Sequence, residues 1–68
     1  MWQCACCDKN LPDRAIQGHV INGETGDPAL VGTDCFKKIK ESGSDGHYHD
    51  NTGNGPFYTK AFYADLED

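Results

Sequence analysis

Sixty-eight residues, 37% of them hydrophobic, make one small domain whose apolar core alone supplies no more than ~3–5 kcal/mol. Eleven acidic residues against six basic ones leave a net charge of −5, which works against a phosphate backbone as ligand and favours a protein partner. No apolar run approaches the ~18 residues of a membrane span, and Met1-Trp2-Gln3-Cys4 has neither the basic nor the apolar region of an export signal, so the chain reads as a soluble cytoplasmic protein without a membrane role.

Residues 1–10 read as a zinc knuckle. Three of the four cysteines crowd into Cys4-Ala5-Cys6-Cys7, and the fourth is Cys35. Two disulfides would need a vicinal or near-vicinal bridge, which is strained, and a reducing cytosol disfavours them further. A metal is better served. Two intervening residues let the turn bring both sulfurs of Cys4-x-x-Cys7 to ~2.3 Å from one zinc ion, and Asp8-Lys9-Asn10 supplies turn formers. Cys35 is the third thiolate. Cys6 is left over, as a spare thiol or small packed residue that could exchange with Cys7. A closed structural site needs a fourth ligand. His19, on a strand packed over the knuckle, is the first choice, with His47 or His49 as the alternative.

A β-hairpin is expected over residues 15–31. Ala15-Ile16 and His19-Val20-Ile21 have strand character, and Gly18 interrupts them as a bulge. The run from Asn22 to Pro28 is dense in turn formers, and Ala29-Leu30-Val31 returns. A helix follows over 34–42, with Asp34 or Thr33 as N-cap, Lys37, Lys38 and Lys40 towards its end, and Gly43 as its stop. Phe36 and Ile39, three apart, share its buried face. The helix N-terminus is expected to lower the thiol pKa of Cys35.

Residues 43–56 form a Gly-rich loop. Pro56 suits the first position of a short final helix over 56–66, in which Phe57, Tyr58, Ala61, Phe62 and Leu66 recur at helical spacing. Against it, Asp65, Glu67 and Asp68 lie at the unfavourable pole of the helix dipole. Tyr48, Phe57, Tyr58, Phe62 and Tyr63 place five of the aromatics in this last third. They either cover a thin core or offer an anchor to a partner.

Knuckle, hairpin and a helix bearing a ligand in its first turn make a small α+β, zinc-stabilised domain in the order of a treble clef. The usual treble clef places a second ligand three residues after the first on the helix, where this chain has Lys38. Cys4-x-x-Cys7, Thr25-Gly26 and Val31-Gly32-Thr33-Asp34-Cys35-Phe36-Lys37-Lys38-Ile39 resemble small uncharacterised zinc-binding proteins of phages and plasmids. Gly46-His47-Tyr48 and Gly53-Asn54-Gly55-Pro56 echo later segments of those proteins. The resemblance spans residues 4 to 58 and implies a zinc-held fold of mobile-element origin, without an established activity. Where those proteins carry a basic residue after the Gly-Pro, this chain has Phe57 and an acidic tail.

His47-Tyr48-His49-Asp50 is the catalytic-looking cluster, and some treble-clef proteins are His-metal nucleases. A Gly-rich loop holds ligands loosely, however, and an acidic chain repels that substrate. Nucleic-acid binding through Lys37, Lys38 and Lys40, with Lys9 and Arg14, competes with the simpler account that the lysines answer the helix dipole. The sequence therefore points to a non-catalytic interaction module with one structural zinc, binding a host or replicon protein. A nucleic-acid-binding finger is the alternative and a His-metal nuclease the remote one.

Overall fold

The structure, a computed structural model, describes residues 1–66. Its elements are β1 (Trp2–Gln3), β2 (Asn10–Leu11), β3 (Gly18–Asn22), β4 (Pro28–Val31), α1 (Thr33–Ser42), a 3-10 turn (Gly43–Asp45), β5 (Phe57–Thr59) and α2 (Lys60–Leu66). The fold is small α+β, with β1 and β2 as one antiparallel pair and β4-β3-β5 as a three-stranded antiparallel sheet.

The knuckle is longer than the cysteine spacing alone implies. Cys4 N–H donates to Lys9 O and Asp8 N–H to Cys4 O, each at 2.9 Å, so the chain reverses between β1 and β2. Asp8 takes a positive φ of 64° at this reversal, which a short polar side chain tolerates better than a branched one. The indole N–H of Trp2 donates to Pro12 O at 3.0 Å and closes the far end of the pair.

The hairpin is shorter than expected. Ala15 and Ile16 lie outside the strands, and Ile16 is 74% exposed. Gly18 is no bulge; it pairs in register with Val31. Its lack of a side chain has another cause, because a Cβ there would stand 2.6 Å from Cδ1 of Phe36, whose ring crosses the strand. The connection is closed by Asn22 N–H to Asp27 O and Gly26 N–H to Asn22 O, at 2.9 and 2.7 Å.

Helix α1 starts one residue before the expected span. Its N-cap is Gly32, without a side-chain cap bond, so neither Thr33 nor Asp34 caps it. Asp34 instead places its charge in the first turn, where the dipole favours an anion. Gly43 ends the helix at φ +58°, a conformation that costs glycine little. Cys35 and Ile39 face inward and Phe36 packs beside them.

The final helix begins later than expected. Phe57 and Tyr58 form a strand on the free edge of β3, with Ile21 opposite Tyr58 and Asn22 opposite Phe57. An edge left open by the hairpin satisfies their backbone groups, and Phe57, 2% exposed, fills the core beneath. Only from Lys60 does the chain turn helical. The acidic residues Glu67 and Asp68 lie outside the described residues. The core consists of Cys4, Cys6, Val20, Val31, Cys35, Ile39 and Phe57. Among the described residues no helix is long and apolar enough to cross a membrane.

Candidate metal centre

Two contacts bring the N-terminal knuckle to the start of α1. Ala5 N–H donates to Leu30 O at 3.0 Å, which ties the knuckle to the end of β4. Gly32 N–H, in the link between β4 and α1, points at Cys4 Sγ over 3.4 Å. Cys35 follows in the first turn of the helix, so the thiols of Cys4, Cys7 and Cys35 meet with their sulfurs all within 4.8 Å of one another. Sulfurs bound tetrahedrally at ~2.3 Å from one ion would stand ~3.8 Å apart. The triad is thus near closure on a metal before one is added. All four cysteines are free thiols. The set could hold a metal ion and holds no disulfide.

The electrostatics of the three buried cysteines differ. Burial works against the Cys4 thiolate, but the backbone N–H groups of Cys7, Gly32 and Cys6, with the Cys7 thiol, outweigh it and hold Cys4 below its ordinary value. Cys35 runs opposite to expectation: burial, reinforced by the thiols of Cys4 and Cys7, pushes its pKa up. A helix N-terminus cannot offset desolvation beside other sulfurs that compete for the same charge. A dication would reverse this balance, since a coordinating thiol is deprotonated outright. Cys6 is fully buried and its thiol is raised by burial, against a hydrogen bond with the Cys35 thiol that works the other way; it shares the core cluster with Cys4 and Cys35 and touches the triad from outside the three sulfurs gathered within 4.8 Å.

The histidines do not join the group. Among the described residues, the triad is the one cluster of His, Cys, Asp and Glu side chains gathered closely enough for a metal. His19 is exposed on β3 between buried Gly18 and Val20, because successive strand side chains take opposite faces and Val20 claims the core. We expect His19→Ala to bind metal as the wild type does, with stability within about 0.5 kcal/mol of wild type. Native mass spectrometry and thermal melts check this, and loss of the metal would contradict it. His47 bridges to Phe57, with its Nδ1 3.5 Å from Ser42 Oγ and its Nε2 buried without a hydrogen-bond partner. His49 lines the same cleft as the three cysteines, but its Nδ1 accepts from the main-chain N–H groups of Asn51 and Thr52, both at 3.1 Å.

Sequence reasoning did not anticipate that residues 49–54 dock on the knuckle. Thr52 Oγ1 donates to Cys6 O at 2.9 Å. The Asn54 side-chain amide reaches Cys6 O at 3.0 Å, and Ala5 O and both carboxylate oxygens of Asp8 at 3.3 Å. These are small polar residues in a turn-rich stretch, a pattern that announces a loop but not its docking surface. We expect Asn54→Ala to cost about 1–3 kcal/mol by removing the side-chain donor to Ala5 O and one of the two donors to Cys6 O. Urea denaturation of metal-loaded protein measures this, and a loss under about 0.5 kcal/mol would mean that the amide contacts are dispensable.

Of the five C-terminal aromatics, Tyr48 is exposed at 59% and Phe57 is buried, which removes Phe57 from any partner surface. Tyr58, Phe62 and Tyr63 are half-buried, and the rings of Tyr58 and Tyr63 pack at 5.8 Å with a 58° tilt. Of this group, Phe57 alone belongs to the core cluster. Compared with protein families, curated proteins and solved structures, the chain matches none.

Proposed function

We propose that the chain is a zinc-stabilised interaction module of treble-clef-like design, encoded by a phage or other mobile element and acting in the host cytoplasm on a host or replicon protein. The observation that carries this reading is the position of the thiol triad. Cys4 and Cys7 come from the knuckle and Cys35 from α1, so one ion bound there staples elements 28 residues apart (35 − 7). Zinc is the ion of choice for such a set: three thiolates are soft donors, and the metal brings no redox chemistry of its own. In this role it contributes folding free energy.

The surface supports a protein as partner. The net charge of −5 disfavours nucleic acid, while Ile16 and Tyr48 offer exposed apolar contacts of the kind that anchor interfaces. Tagged, zinc-loaded protein incubated with lysate at low salt should retain a specific protein that survives nuclease treatment. Retention lost with nuclease, together with DNA or RNA affinity that falls steeply with salt, would turn the reading to a nucleic-acid-binding finger.

A further inference from the structure

We propose that the metal held by Cys4, Cys7 and Cys35 keeps its fourth position open to the adjoining cleft and takes an external thiolate there. This rests on the zinc reading above and names the ligand chemistry of that same site. Structural zinc is closed by four protein donors, whereas an open position is left to a substrate or partner. Here three donors converge among the described residues, and Cys6, whose thiol hydrogen-bonds to Cys35, is not one of the sulfurs within 4.8 Å of one another. They line a cleft of about 460 Å³, within the ~300–1,000 Å³ of small-molecule sites.

His49 is the histidine on the wall of this cleft, and its chemistry argues against closure. A neutral imidazole has one acceptor nitrogen. That nitrogen is Nδ1, which takes the main-chain N–H groups of Asn51 and Thr52. Nε2 then carries the proton and is a donor. Ligation by His49 would require giving up both main-chain bonds in a loop that Thr52 and Asn54 pin to the knuckle. His19 faces away on β3. Asp34 also lines the cleft, but a carboxylate is a hard donor and a poor match for a metal already bound by three soft ones.

The cleft also points to the donor it would take. Three thiolates around a dication carry one net negative charge, and a fourth would make it two. Lys9 and Lys38 stand on the wall with Asp34, giving two cations against one anion, a balance that favours an anionic donor over a neutral one. Thiolate is the soft anionic donor that proteins and cells supply, either as a small free thiol or as a cysteine side chain of a partner. On binding, a metal–sulfur bond forms, displacing solvent, and the S–H proton passes to solvent. Nothing is oxidised or reduced.

The full chain loaded with one equivalent of Co²⁺ in a phosphine reductant tests this by its visible and sulfur-to-metal absorption. Glutathione and the peptide acetyl-Ala-Cys-Ala-amide serve as probes of the two sources. We expect a three-thiolate spectrum at first, then a saturable rise of about a third in charge-transfer intensity as the thiolate count goes from three to four. Lys38→Gln should bind Co²⁺ as wild type does and raise the Kd for the thiol roughly two- to fivefold. A response to glutathione alone identifies a small thiol as the ligand, and a response to the peptide alone identifies a partner's cysteine; both support the open position. A Co²⁺ spectrum unmoved by either probe, yet altered in His49→Ala or Asp34→Asn, would show a site closed by the chain itself and overturn the proposal. So would a four-thiolate spectrum before any thiol is added, which would bring in Cys6. Failure to bind Co²⁺ or Zn²⁺ at all would instead remove the zinc reading beneath it.

Discussion

A strong chelator is expected to abolish the cooperative thermal transition of the zinc-loaded chain, and excess zinc to restore it. The apolar core is seven residues, three of which are cysteines, and a chain of this size draws only ~3–5 kcal/mol from such a core. Metal binding in small finger peptides is worth on the order of 10 kcal/mol, so it outweighs the rest of the fold. Without the ion, Cys4 and Cys35 are joined by weak sulfur contacts, and the knuckle is held to the rest of the fold by the bond from Ala5 N–H to Leu30 O and the docking of Thr52 and Asn54. Calorimetry and near-ultraviolet circular dichroism with and without chelator measure the effect. A sharp transition surviving in chelator would refute a metal-dependent fold. Cys35→Ser should reproduce the chelated state even with zinc present, because it removes the one thiol donated by the helix.

Ile39→Ala should be the most damaging substitution away from the metal. Ile39 is fully buried on the inner face of α1, in the same cluster as Val20, Val31 and Phe57. Truncating such a side chain costs about 2–5 kcal/mol, which equals most of what this core provides. The variant is therefore expected to be unfolded without zinc and folded with it, at a melting temperature that climbs with free zinc as mass action requires. Titrating zinc against the melting temperature of both proteins measures this. A loss below about 1 kcal/mol in the loaded form would mean that the helix is held by its metal ligand and not by its packing.

The parts of the fold that could be read in advance are those specified locally. Cys4-x-x-Cys7 announces its own turn, Gly43 ends α1, and the Asn22-to-Pro28 stretch closes a hairpin. Misread were the features decided by a distant neighbour. Phe57 and Tyr58 fit a helix or a strand equally well in isolation, and the open edge of β3 decided between them. Gly18 suggested a bulge until the ring of Phe36 showed why no Cβ fits. His19 is a different case, because its outward direction follows from strand parity once Val20 is assigned to the core. The docking of Thr52 and Asn54 on the knuckle had no local signature.

That docking has a consequence for how the molecule is made. The bonds from Thr52 and Asn54 to Ala5 and Cys6 join residues 46 to 49 positions apart, so the knuckle is synthesised well before the segment that docks on it. At the ~5–20 residues per second of translation, the knuckle's thiols stand without Asn54 for roughly 2–10 seconds. Zinc acquired in that interval would have two or three sulfurs and no covering loop. On the proposed metal-held reading, occupancy in a growing cell would depend on the time the nascent chain takes to reach Asn54 as well as on equilibrium affinity.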